Sequence, residues 1–450
     1  MHIAVEQGDE EHEWIVTNGL GGYASGTVTG ERTRVYHGLL VAAVDPPVGR
    51  AMRVPQLDER LHYRGVDVPL SSIRWSDESI DPRGAVHLES FRLEAGIPVW
   101  RYRYSDLVLE RAVYMPDRRN ETRVRYSLLS ASARVTLEVK VFGANHNHHA
   151  AGDGEAKLVS GVPDRELTVH DGNATILYVG WRHGRAPGAA IADEERWETA
   201  DDVYYGALLT RERFRGLPDT EHLRHVGSGT APLVPDTPLE LVMSTGQITP
   251  EEHDDPYQKA DDYYLAEQTR YTTLRRGAGD LLRKIPETAL QSVETLVHAA
   301  DQFLVDWTLT SGQTGRTIIA GYPWFGDWGR DTMISLPGLT LATGRTEEAR
   351  WLLRTFAQYV DRGMLPNLFP DGTSDPEYNT VDATLWYFEA VRAYFQHTGD
   401  EALVRETLPV LQSIFEYHMN GTRYGIGVDK ADGLLHAGEP GVQLTWMDAR

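Results

Sequence analysis

The chain has 450 residues, enough for two or three domains, because a single core stops growing at roughly 250–300 residues. Hydrophobic residues make up 41% and charged residues 24%, the balance of a globular chain, and no apolar run reaches the ~18 residues of a spanning helix. The net charge of −22 would repel a phosphate backbone or an anionic membrane, so neither nucleic acid nor membrane is an expected partner. There is no cysteine, which excludes disulfides, thiolate nucleophiles and zinc ribbons. The first stretch, Met1 to Trp14, is acidic rather than basic-then-apolar. It does not read as a secretion signal, and the expected location is cytoplasmic.

In chain order, the first half reads as strands. Val135, Leu137, Val139 and Val141 alternate with Thr136, Glu138 and Lys140, the period of two expected when one sheet face is buried. Similar runs occur at Trp100 to Tyr104, Leu107 to Tyr114 and Arg123 to Leu128, separated by turn formers such as Pro116-Asp117 and Asp171-Gly172-Asn173. Many short strands at this spacing predict antiparallel sheets packed face to face. Near Pro250 the pattern changes, and residues 256–284 read as a linking helix. This divides the chain into a strand-rich domain over 1–255, that linker, and a helical domain over 285–450.

In the helical part, Leu290, Val293, Val297, Ala300, Leu304 and Trp307 recur at three and four residues and predict one helix face. A second helix opens at Thr346, with Glu347 and Glu348 where the macrodipole favours negative charge, and is expected to stop at Gly363. A third carries Leu385, Phe388, Val391 and Phe395 before Gly399. Asp400 can cap a fourth through about Thr407, with Pro409 starting or bending the next. Trp307 and Trp351 both fall on helical stripes and are assigned to the core.

The segments Gly321 to Asp331, Pro366 to Asp382 and Tyr424 to Asp448 are long, rich in Gly and Pro, and carry Trp, Asn and carboxylates. Such loops are functional more often than decorative, and three of them after successive helices can converge on one end of a helical barrel. A sugar ring has apolar C–H faces, which suit platforms such as Trp324, Trp328 or Trp446. Its rim of hydroxyls suits fixed carboxylates, amides and guanidinium groups. Arg330 beside Asp331 offers donor and acceptor together, enough to hold two adjacent hydroxyls. Glycoside cleavage needs a pair of carboxyls. The loops offer Asp327, Asp331, Asp371, Asp375, Glu377, Asp382, Glu439 and Asp448, and composition does not choose among them.

The stretches "PWFGDWGRDTMISLPGLTLATGR" (Pro323 to Arg345), "LPNLFPDG" (Leu365 to Gly372), "YNTVDATLWYFEA" (Tyr378 to Ala390) and "GVQLTWMDAR" (Gly441 to Arg450) resemble the glucosidase part of glycogen debranching enzymes of the bacterial and archaeal type. "EWIVTNGLGGYASGTVTGERTRVYHGLLVAA" (Glu13 to Ala43) is similar to that family's opening. The resemblance implies a multidomain all-β plus all-α chain, an N-terminal antiparallel β-sandwich followed by an incomplete (α/α)6 toroid with its active site at the toroid mouth. It implies inverting hydrolysis of α-1,6-linked glucose at branch points of glycogen or a branched α-glucan, without cofactor or metal. Carried over by motif, Asp448 matches the general acid, and Arg330 and Asp331 match the pair that holds the terminal glucose. Trp328 stands beside them, with Asn379 and Asp382 lining the pocket. An acid must stay protonated near neutral pH, which the apolar neighbours Trp446 and Met447 would promote by raising its pKa. The family pattern continues past this motif to a Glu that serves as general base, and no stretch of residues 1–450 matches it. The expectation is therefore a fragment with negligible hydrolysis of its own.

Other features are weaker. "NHNHH", Asn145 to His149, reads as a polar strand-end loop rather than a metal site. The glycines of "NGLGGYASG" lack a following Lys-Ser/Thr and read as tight turns rather than a phosphate loop. Two alternatives stay open: another inverting toroid glycosidase of glucoamylase or trehalase type, and a glucan-binding or assembly protein without catalysis.

Overall fold

The computed structural model describes residues 2–3, 12–46, 48–163, 165–183, 194–248, 258–308, 314–369 and 376–446. The chain divides into two compact units. The first comprises Met1–Asn18, Gly22–Val44 and Arg50–Thr272, and the second Gly19–Gly21, Asp45–Gly49 and Thr273–Arg450.

The first unit is sheet-rich and antiparallel. The alternation at Val135–Val141 becomes the strand Val135–Gly143, with its apolar positions buried and Thr136, Glu138 and Lys140 half-buried on the other face. It pairs with Leu57–Tyr63 on one side and Thr220–Leu233 on the other, inside a five-stranded sheet. The predicted runs become Ile97–Tyr104, Leu107–Tyr114 and Glu121–Ser130, successive neighbours in a nine-stranded sheet. A further sheet includes the hairpin Glu13–Thr17 with Tyr23–Thr27. One core draws on all three sheets, with Leu61, Val139, Leu109, Tyr126 and Trp14 each nearly or wholly out of water.

A charge buried in this core needs partners, because stranding it away from water is costly. Glu240 is fully buried and accepts from Arg123 Nη1 at 3.1 Å, Arg125 Nη1 at 3.0 Å and Tyr114 Oη at 2.8 Å. Desolvation raises its pKa, opposed by the two guanidinium groups. The helix Gln258–Gly277 lies over the same sheet. Arg123 sits 4.2 Å from the Tyr263 ring centroid and Arg125 4.8 Å from that of Tyr264, cation–π contacts that tie a weakly amphipathic helix to the sheet.

The second unit is mostly helical. Its longer helices among the described residues are Glu287–Gln302, Gly329–Leu336, Thr346–Ala357, Asp382–Thr398 and Glu401–Asn420. Leu336, Leu352, Leu353, Phe356, Tyr387 and Leu403 pack in their shared core.

Several element ends differ from the periodicity reading. The first helix stops at Gln302, and Leu304 and Trp307 belong to the strand Leu304–Thr308, paired with Thr314–Ile318. Leu304, Val305 and Trp307 are all buried, and a strand covered on both faces cannot be told from helix by spacing alone. Trp307 is core as expected, stacked on Tyr359 at 4.8 Å and edge-on to Phe369 at 4.3 Å. Trp351 is not core: it is 48% exposed, because Thr346–Ala357 buries Ala349, Leu352, Leu353 and Phe356 on another face. That helix ends at Ala357, six residues before Gly363. The last helix runs through Pro409 without a break, its core contacts Leu403, Thr407 and Ile414 spanning the proline. Gly399 adopts φ +69° to end one helix, and Asp400 caps the next by accepting from the amides of Ala402 and Leu403.

Candidate functional site

Short backbone pairings in the second unit place the loops. Ile319 pairs with Asp327, Trp328 with Leu368, and Leu368 with Glu377, so four short segments form one small ladder. The Gly329 amide donates to the Asn367 carbonyl at 2.9 Å and the Asn367 amide to the Glu377 carbonyl at 2.7 Å. Gly329 is required at this crossing: a Cβ there would lie 2.0 Å from the Pro366 carbonyl oxygen.

This ladder delivers Arg330 to the first turn of Gly329–Leu336, where its side chain is 9% exposed. Its Nε donates to Asp382 Oδ1 at 2.8 Å and its Nη2 to the Thr380 hydroxyl at 3.1 Å. The Thr380 hydroxyl in turn donates to Asp382 Oδ1 at 2.8 Å, so one carboxylate oxygen holds both partners. Thr380 also accepts from the Ala383 amide at 3.3 Å, closing the first turn of Asp382–Thr398. The Arg330 fork is thereby fixed before any ligand arrives.

Asp331 follows Arg330 and faces solvent. Desolvation by the surrounding protein nonetheless raises its pKa, opposed by Arg330 and reinforced by Asp382. Asn379 stands close by: its side-chain oxygen accepts from Asn367 Nδ2 at 3.2 Å. Trp328 is half-buried and makes an edge contact with Phe325 at 6.3 Å, while Trp324 is 38% exposed. The segment carrying Trp446 approaches this region through Leu444, whose carbonyl accepts from the Val381 amide at 2.9 Å. Trp446 itself is 70% exposed. Asp448, Asp371 and Asp375 lie outside the described residues. Of the remaining loop carboxylates, Asp327 is fully buried, while Glu377 and Glu439 are exposed.

The structure thus joins Arg330, Asp382 and Thr380 by direct bonds and sets Asn379 against Asn367. Trp324, Trp328 and Trp446 are present as partly or largely open rings. Thr380 and Asn367 were not singled out from sequence. Thr380 had a signal, a hydroxyl residue three positions before the amide it caps. Asn367 had none, since its role depends on a neighbour twelve residues away.

A family model described as Glycogen debranching enzyme N terminal matches residues 12–239, just over half the chain, and one described as Amylo-alpha-1,6-glucosidase matches residues 298–450. The chain belongs to the glycogen debranching enzyme family. The glycogen debranching enzyme of Saccharomyces cerevisiae is 37% identical to it over 193 residues, 31% of this chain and 12% of the yeast protein. The chain therefore spans about an eighth of that relative. Among solved structures, a bacterial glucoamylase complexed with acarbose is similar at 10% identity and a TM-score of 0.42, covering 93% of this chain and 60% of that one. The glycosyl hydrolase ccman5 of family gh92 is similar at 12% identity and a TM-score of 0.29, covering 76% and 54%. Both likenesses are too distant to add to the argument.

In this debranching-family chain, Asp331 carries a testable pH signature. Folding raises its pKa, so the folded state holds the proton to higher pH than the unfolded chain does. Its contribution to stability is complete below the unfolded value and is lost as pH rises through the folded one. Asp331→Asn is therefore expected to gain stability relative to wild type between acid and neutral pH. Thermal midpoints across that range check this. Parallel profiles for the two proteins would show that Asp331 is not desolvated.

Proposed function

We propose that the second unit carries the glucosidase site of a glycogen-debranching protein and cleaves α-1,6-linked glucose at branch points with inversion. In this reading the first unit is the β-sandwich and the helices of the second belong to an (α/α)6 toroid. The observation that carries the reading is the family match over both parts of the chain, together with the rigid Arg330–Thr380–Asp382 group inside the matched region.

Arg330 and Asp331 hold adjacent hydroxyls of the terminal glucose as donor and acceptor. Asn379, steadied by Asn367, and Asp382 line the same pocket. Trp324, Trp328 and Trp446 offer ring faces to the C–H surfaces of the sugar. Asp448 serves as general acid, protonating the leaving glycosidic oxygen while water attacks the anomeric carbon from the opposite face. An inverting site needs its second carboxyl at roughly 6.5–9.5 Å from the first, leaving room for water.

The test compares α-1,6-branched limit dextrin, α-1,4-linked maltooligosaccharides and trehalose as substrates of the protein. The configuration of the released glucose is followed by NMR. Release from the branched substrate as the β-anomer is expected. Preference for an α-1,4 link or for trehalose would move the assignment to another inverting glycosidase. Binding without turnover of any of the three would make this a glucan-binding protein.

A further inference from the structure

The sheet-rich unit contains a cleft that the glucosidase reading does not use. Its chamber is about 50 Å³, within 480 Å³ when the open mouth is counted. The chamber has room for about three or four water-sized groups.

Trp14, Leu39 and Trp100 give the wall its apolar part. The indole N–H groups are already used, Trp14 donating to the Thr27 carbonyl and Trp100 to that of Val28, so these residues offer the cleft only carbon.

The polar part is built around Arg111, which is 7% exposed. Its Nε donates to Glu59 Oε1 at 2.8 Å, and its guanidinium lies 5.1 Å from the Trp100 ring centroid, which holds it in place. A guanidinium has five N–H donors, and among the described residues Arg111 spends them only on Glu59 and the Tyr126 hydroxyl. Tyr102, 5% exposed, lines the same chamber, and among the described residues its hydroxyl has no hydrogen-bond partner. Glu59 keeps acceptor capacity on Oε2, which takes one bond, from the Ser71 hydroxyl at 3.2 Å.

Charge narrows the guest. Glu31 and Glu59 balance Arg32 and Arg111 around the wall, so neither an anion nor a cation gains from entering. A neutral molecule with adjacent hydroxyls can accept from Arg111 and Tyr102, donate to Glu59, and lay its C–H edge on Trp14 and Leu39. We infer that this cleft binds one end of a neutral saccharide, a glucosyl unit entering edge-on, as a second sugar site separate from the Arg330 group. The ligand class follows from the groups of the cleft itself. Only the choice of glucose over other polyols rests on the proposed function.

Equilibrium dialysis of labelled maltotriose against the full chain tests this, using wild type, Tyr102→Phe, Arg111→Lys and Asp331→Asn. Two classes of site are expected in wild type. Tyr102→Phe should weaken one class about tenfold and Arg111→Lys about thirtyfold, whereas Asp331→Asn should weaken only the other. Tyr102→Phe removes a hydroxyl with no protein partner, so its thermal midpoint should stay that of wild type, and it decides the matter alone if Arg111→Lys does not fold. Unchanged maltotriose binding by folded Tyr102→Phe and Arg111→Lys would overturn the inference and leave a hydrated cleft. Binding that is lost in Tyr102→Phe but indifferent to Asp331→Asn would support the cleft and count against the Arg330 site instead.

Discussion

Arg330→Ala is expected to lower glucan binding and any turnover that depends on it by about two to three orders of magnitude. The side chain is nearly buried and bonds both Asp382 and Thr380, so its loss removes the donor fork and frees the carboxylate it holds. The fold is expected to lose about 2–3 kcal/mol. Breaking a buried pair costs roughly 3–5 kcal/mol, and the 24% exposure of the Asp382 side chain lets water recover part of that. Arg330→Lys should restore most of the stability but little of the binding, since an ammonium cannot reproduce the planar fork. Urea midpoints and maltooligosaccharide binding, measured on Arg330→Ala, Asp382→Asn and the double variant, separate the two roles. A loss of stability with binding intact would make Arg330 a structural residue and remove it from the sugar site.

Gly329→Ala is expected to cost about 3 kcal/mol or more. The added methyl would lie 2.0 Å from the Pro366 carbonyl oxygen, and a backbone atom next to a proline has little freedom to retreat. Relief requires the two loops to part. That breaks the bond from the Gly329 amide to the Asn367 carbonyl and disturbs the pairing of Trp328 with Leu368. Sugar binding should therefore fall along with stability, although no sugar-contacting group has been altered. Gly338→Ala is the matched control, because nothing lies within 4 Å of the atom it would add. It should be neutral or stabilising by up to about 1 kcal/mol. Equal urea midpoints for the two variants would show that the loops are not packed as described.

Both predictions act on the same physical feature, a site assembled from loops rather than carried on one element. The helices supply rigid ends, and the backbone ladder among Ile319, Asp327, Trp328, Leu368 and Glu377 sets the loops between them. A change in the ladder is felt at Arg330 because the crossing residue Gly329 is its immediate neighbour.

What the sequence by itself determined is what acts over a few residues. The alternation of Val135 to Val141 specified a half-buried strand, Glu347 and Glu348 marked a helix start, and Gly399 with Asp400 marked a stop and a cap. The motifs around Trp328 to Asp331 and Tyr378 to Asp382 identified the family, because they keep residue types in a fixed local order. Only the tertiary structure decided the rest. It sent Leu304 and Trp307 into a strand and turned Trp351 outward, since which face of an element is buried depends on what packs against it. It joined Arg330 to Thr380 and Asp382 across 50 and 52 residues of sequence, and Arg111 to Glu59 across another 52. Those bonds arise where distant segments meet, and no period or spacing along the chain encodes the meeting.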